Sequence, residues 1–268
     1  MKRKELAKKL GMVTLAFVMA VPFAVPAVCY ADTQVQAEAD PSSKDDAEGE
    51  KQNEMTFQSK TYEKTYKTED GRICKEVSFA YPYAQGDSQA AQAFNQFYQK
   101  LLTKWKKAAK KNLDDAKEYA EQREDVDNDS YYGDSVTYKI TSKDNKYISV
   151  LQSGYEYTGG AHGMPYRDAY VFDAKTGKKV SAASMLGISK SQLNKKVRDL
   201  FLKKYDKTTK EKISLFYEDR NDVKAFLEKM DFNQNLYYLK NGKLRFYADP
   251  YAVGPYASGF IEVSVKLS

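Results

Sequence analysis

The segment SVTYKITSKDNKYISVLQSGYEY, residues 135–157, decides the fold class. Apolar and polar residues alternate on both sides of Asp144-Asn145. Val136, Tyr138 and Ile140 share a face, and Ile148, Val150 and Gln152 share one beyond the turn. Period-two alternation about a turn dipeptide is the pattern of a β-hairpin with one buried face. The same pattern recurs on either side. Around Asp70-Gly71, Thr61, Glu63, Thr65 and Lys67 oppose Tyr62, Lys64 and Tyr66, with Pro82 expected to close the second strand. YRDAYVFDAKTGKK, residues 166–179, supplies a further strand and a turn from Asp173 to Lys178 containing Gly177. NLYYLKNGKLRFYA, residues 235–248, turns at Asn241-Gly242, a dipeptide suited to the tightest hairpins. FIEVSVKLS ends the chain as a strand with Ile261, Val263 and Val265 inward.

Three segments switch to helical spacing. From Ser88, a credible N-cap, to Ala120, apolar residues recur three and four apart through Phe94, Phe97, Tyr98, Leu101, Trp105 and Leu113. This predicts one long helix with Trp105 on its apolar stripe. Two shorter helices are expected. One carries Leu193, Val197, Leu200, Phe201 and Tyr205 on one face; the other carries Val223, Phe226, Leu227 and Met230. The order β-β-α-β-β-β-α-α-β-β-β, with strands in hairpins, predicts an α+β fold. Its antiparallel sheets are built from hairpins and packed against one long and two shorter helices. We divide the body into an N-terminal α+β subdomain, 55–158, and a C-terminal one, 159–268.

The first 54 residues read differently. Lys2, Arg3, Lys4, Lys8 and Lys9 precede an apolar run from Leu10 to Val28, broken by Pro22 and Pro26. Cys29-Tyr30-Ala31 places small residues where a signal peptidase reads them, so residues 1–31 are expected to be a signal peptide cleaved after Ala31. An uncleaved membrane tether is the alternative; after processing no stable transmembrane span is expected. Residues 32–54 hold eight acids, two lysines and no aromatic residue, a composition expected to give a disordered acidic linker. The formal net charge of +6 therefore divides into +4 for the leader, −6 for the linker and +8 for the body. The basicity of the whole chain is largely a targeting feature and gives no ground for a nucleic-acid partner.

Chemistry is constrained by scarcity. With Cys29 in the leader, Cys74 stands alone, so no intrachain disulfide is expected and a buried structural thiol is the default. His162 is the only histidine. No serine sits in a nucleophile-elbow pattern, and a zinc shell would need carboxylates for most of its ligands. The acidic run EDVDNDSYYGD, residues 124–134, lacks the alternating ligands and closing glutamate of a calcium loop. We expect no catalytic residues, no metal and no cofactor. A carboxylate pair for glycoside hydrolysis is not excluded by counting, but nothing singles one out.

The remaining feature is YTGGAHGMPY, residues 157–166. Gly159 and Gly160 lie between β runs where positive φ is often required, and His162 should sit at the crown of the connection, bonded to a neighbouring carbonyl or tyrosine. This stretch and the tail loop YADPYAVGPYASG, residues 247–259, are both rich in tyrosine. Two landmarks, Tyr-Thr-Gly-Gly-Ala-His and Pro-Tyr-Ala-Ser-Gly, carry a resemblance. They look like an exported module that accompanies peptidoglycan deacetylases of the PdaC type and forms the ectodomain of the lysozyme-sensing anti-sigma-V factor. The Tyr81-Pro82 pair followed by a long helix is similar to the N-terminal half of that arrangement. There are departures: Ala252 stands where the family usually carries a glutamate. The metal-binding Asp and His set of the deacetylase domain is missing, and nine residues before the apolar run are too few for a sigma-binding domain. The resemblance thus implies the extracytoplasmic module alone, secreted or at the cell surface. Its expected partner is a cell-wall glycan or an envelope protein such as lysozyme. Binding is expected through Tyr157, Gly159, Gly160, His162, Tyr166, Tyr251 and Tyr256. The alternatives are a cryptic peptidoglycan-directed hydrolase and a structural protein docking on an envelope partner.

Overall fold

A computed structural model describes residues 55–123 and 131–267. The expected leader, the acidic linker and most of the 124–134 loop lie outside the described residues. No helix among the described residues is long and apolar enough to cross a membrane.

The first hairpin forms as its alternation requires. Strand β1 (Phe57–Lys67) pairs antiparallel with β2 (Ile73–Ala84), and Gly71 takes φ 90° in the turn. Pro82 does not close β2, which runs on to Ala84 with Pro82 opposite Ser59. The next strand pairs with β2 only along Lys75–Phe79, so no ladder there needs the N–H that proline lacks.

The expected single helix is two. Helix α1 (Gln89–Ala109) starts at Ser88, whose hydroxyl accepts from the Ala91 N–H at 3.2 Å. The chain then breaks, and α2 (Leu113–Glu121) follows. The break has a cause in β2. Lys75 is 1% exposed, and a buried ammonium is costly without partners. The turn delivers Asn112, whose Oδ1 lies 2.6 Å from Lys75 Nζ, while Asp134 Oδ2 lies 2.7 Å away on the other side. Ala116 and Ala120 of α2 then pack on buried Cys74, whose thiol burial pushes up.

The α+β class with hairpin-built antiparallel sheets is as expected, with one exception among the described strands: β3 (Tyr132–Lys143) runs parallel to β2. The two helices form a crossover that returns the chain to the same end of the sheet, and a strand so returned pairs in parallel. Beyond it the quoted hairpin forms as read: β4 (Tyr147–Tyr157) is antiparallel to β3, with Ile140 opposite Val150. Strands β5 (Met164–Asp173) and β6 (Lys179–Val180) complete a six-stranded sheet in chain order. The 158/159 division drawn from the sequence falls in the turn between β4 and β5, inside this sheet.

The following helices number three. Helix α3 (Ala182–Leu186), not expected, is capped by Ser181 and ended by Gly187 at φ 64°. Helix α4 (Lys190–Lys210) has 21 residues, as many as α1, because a Ser189/Gln192 capping box starts it and helical hydrogen bonding continues past Asp206. Helix α5 (Arg220–Glu228) buries Val223 and Leu227, but Phe226 is exposed and rests on Tyr217, so the inward face is narrower than its spacing implied. Strands β7 (Tyr237–Lys240), β8 (Lys243–Ala248) and β9 (Ile261–Lys266) form a second, antiparallel sheet. Asn241 and Gly242, at φ 51° and 67°, make its hairpin turn.

The layers follow from which faces are apolar. Phe94, Tyr98 and Leu102 of α1 pack on Val77, Phe79, Val136, Val150 and Phe172 of the large sheet. On its other face, Leu151 and Ala169 meet Tyr238 and Tyr247 of the second sheet. That sheet turns Tyr237, Leu239, Leu244 and Phe246 toward Leu193, Val197 and Phe201 of α4 and Val223 and Leu227 of α5. The second sheet, through β7, covers β4, β5 and part of β3. Alternation leaves Glu63, Thr65, Glu76, Ser78 and Ser135, on β1 to β3, facing outward and not buried.

Candidate functional site

The β4–β5 connection is built from its glycines. Gly159 and Gly160 take φ 87° and 88°, which side chains disfavour, and the Tyr157 hydroxyl donates to the Gly160 carbonyl at 3.0 Å. Gly163 is buried under neighbouring backbone: a Cβ there would meet the Glu156 carbonyl at 2.6 Å. Its N–H donates to the Tyr155 hydroxyl at 2.8 Å.

His162 sits at the crown as expected, with Nδ1 3.0 Å from the Gly163 carbonyl. A carbonyl only accepts, so Nδ1 carries the hydrogen in this contact. The imidazole stacks on Tyr256 at 4.3 Å between centroids. Tyr256 opens a 3₁₀ turn after Pro255, and its hydroxyl lies 3.4 Å from the same Gly163 carbonyl. Tyr251 lies 5.6 Å from Tyr256 between centroids, with φ 65° and its carbonyl held by the Tyr217 hydroxyl. The two tyrosine-rich loops therefore meet. Their outer surface joins Tyr155 at 41% exposure, Tyr251 at 46%, and the exposed His162 and Met164.

Tyr166 is not part of this cluster. It lies on the helix-covered face of the large sheet, its ring over Gly154, where an added Cβ would come within 2.1 Å of a ring carbon. Burial pushes its hydroxyl well above the usual range. Gly159 and Gly160 shape the loop, and Gly159 packs beside the Tyr119 ring. Ala252 packs against the second-sheet core. Tyr155 was missed from sequence; its signal was alternation, since it follows Ser153 on the outward face of β4.

Next to Tyr155 lies a groove of about 450 Å³ on the open face of the large sheet. Glu63, Thr65, Glu76, Ser78 and Ser135 line it, with Tyr131, Tyr155 and Tyr157 at its rim. Glu76 accepts from the Tyr131 hydroxyl at 2.7 Å and the Thr65 hydroxyl at 3.3 Å. Among the described residues, no three His, Cys, Asp or Glu side chains converge as a metal site would require.

Behind the cluster the two sheets are tied together. Arg167 of β5 meets Glu262 of β9 at 2.8 Å, the Tyr238 hydroxyl reaches the same carboxylate at 3.1 Å, and the Arg167 guanidinium lies 4.0 Å over Phe260. At the root of the tail loop, burial and then the neighbouring Asp168 carboxylate raise Asp249 to about 6, against the opposing pull of Arg167.

Comparison with known proteins finds a family match for each of two segments of the chain. Residues 68–165 match the family described as deacetylase PdaC, and residues 188–268 match the protein family of unknown function DUF3298. The first landmark falls in the former match and the second in the latter, so the resemblance read from those residues holds. Among solved structures, a DUF3298 family member from Bacteroides fragilis is 18% identical, with TM-score 0.54, covering 79% of this chain and 90% of its own. A DUF3298 family protein from Pseudomonas aeruginosa is 16% identical, with TM-score 0.50 and the same two coverages, 79% and 90%. These likenesses are of fold. No curated protein matches.

Proposed function

We propose that this chain is an exported, non-catalytic module of the bacterial cell envelope that binds wall glycan through the aromatic cluster of Tyr155, His162, Tyr251 and Tyr256. The observation that supports this reading is the meeting of the two loops. Rings from sequence-distant segments stand side by side at the surface, one of them stacked on the exposed His162. Such rings stack on the apolar faces of sugars, while their hydroxyls and the imidazole bond at the rim. The match to PdaC and the leader expected at residues 1–31 agree with an envelope setting.

The test is co-sedimentation of the purified protein with isolated peptidoglycan. The protein should pellet with the wall, and the His162→Ala, Tyr251→Ala double variant should lose about tenfold or more in affinity, roughly 1.4 kcal/mol, with an unchanged melting temperature. No retention by the wall rejects the reading. Retention by immobilised lysozyme instead would mean a protein partner, and release of soluble fragments would mean a hydrolase.

A further inference from the structure

The groove beside the aromatic cluster has a composition the cluster lacks. Its floor is the outward face of β1, β2 and β3, and its charged groups on that face are the carboxylates of Glu63 and Glu76. Two other charged residues border it without changing this. Lys64 alternates to the opposite face, where its ammonium lies 5.9 Å from the Tyr66 ring, and Asp134 is paired with Lys75 at 2.7 Å. Glu76 accepts from two neutral hydroxyls, which leaves its carboxylate further acceptor capacity. The rim adds the tyrosines Tyr131, Tyr155 and Tyr157. Carboxylates beside aromatic faces attract ammonium groups by charge-assisted hydrogen bonds and by the ring quadrupole.

Tyr155 connects groove and cluster. Its ring walls the groove, while its hydroxyl holds the Gly163 N–H next to His162. A chain lying on the cluster can therefore continue into the groove. Resting on the reading that the ligand is a glycan, we propose that this groove is a second subsite. It takes sugar units bearing a free amine, selected over N-acetylated units by Glu76 with Glu63.

Gly133 supplies a way to fill the groove. It lines the floor, its φ is not in the left-handed region, and an added Cβ would find nothing nearer than the Glu76 carbonyl at 4.0 Å. The test is calorimetric titration of the full chain with glucosamine hexamer and with N-acetylglucosamine hexamer. The glucosamine hexamer should bind about tenfold more tightly, as one charge-assisted contact allows. Glu76→Gln should erase that difference, and Gly133→Val should weaken the glucosamine hexamer at an unchanged melting temperature. Equal affinities for the two hexamers, or a preference that survives Glu76→Gln, would overturn the proposal. If isolated wall is retained but neither hexamer binds in the groove, the subsite fails and the aromatic-cluster reading stands. If neither wall nor hexamer binds, both fail.

Discussion

Asp249 shows how one side chain can set the conditions under which the aromatic cluster is held. It stands at the start of the loop that carries Tyr251 and Tyr256, half-buried and facing Asp168 and Arg167, with one carboxylate oxygen unpartnered. Its pKa is raised from the usual carboxylate range to about 6, burial being the larger cause. The folded state thus holds the proton more tightly than the unfolded state. Its contribution is full below the unfolded value and is lost as pH rises through the folded one, so stability should fall between about pH 4 and 6. Asp249→Asn, a neutral isostere, should remove that decline and stabilise the fold at pH 7 by on the order of 1–3 kcal/mol. Melting curves at pH 4, 5, 6 and 7 check this; parallel pH dependence in both proteins sinks it. At this scale sequence reading was uneven. His162 was legible at the crown of a turn because Gly159, Gly160 and Gly163 announce a chain that must bend. Tyr166, in the same stretch, was misplaced, since its side of the sheet depends on the register of β5 against β4. Tyr155 escaped notice because its role is a hydrogen bond to a residue eight positions on.

The elements were legible in kind, and their ends and directions were set by partners. The break between α1 and α2 is the clearest instance. Apolar spacing runs on through it, so periodicity alone predicts continuity. The buried Lys75 needs Asn112 and Asp134, and that requirement outweighs the few tenths of a kcal/mol by which propensity favours an extra helical turn. Asn112→Ala should therefore destabilise the protein by about 2–4 kcal/mol, by leaving an incompletely partnered charge. Lys75→Met in the same background should restore part of the loss, since it removes the charge that needed the amide. Urea denaturation of the two variants measures this; additive losses in the double variant would show that the pair does not govern the break. The parallel pairing of β2 and β3 has a similar origin. Hairpin signals report local direction, and only the docking of α1 and α2 on one face decides the end of the sheet at which β3 re-enters.

For the whole molecule, the question is how two sheets become one support for the site. The large sheet gives one loop of the cluster and the second sheet gives the other. Their relative position rests on Leu151 and Ala169 against Tyr238 and Tyr247, on the Ser149 hydroxyl accepting from Leu239 N–H at 2.9 Å, and on the Arg167–Glu262 pair. Trp105, the only tryptophan, packs against Phe79 at 5.6 Å and reports on the helix-covered core alone. If the sheets are one cooperative unit, Trp105 fluorescence and far-ultraviolet dichroism should give coincident thermal transitions. Glu262→Gln should lower both together by about 1–3 kcal/mol, the range for hydrogen bonds to a charged group. Separate transitions would instead show that the two sheets unfold as independent units. By itself the sequence determined the mixed helix-and-strand class, the hairpins at Asp70-Gly71, Asp144-Asn145 and Asn241-Gly242, the Ser88 cap and the scarcity of metal-type ligands, because each is written in local spacing or composition. Only the tertiary structure decided that β3 runs parallel to β2, that His162 stacks on Tyr256 across 94 positions of chain, and that an acid-lined groove opens beside them. Those features come from burying apolar faces and partnering buried charges between segments far apart in the chain, which no local pattern records.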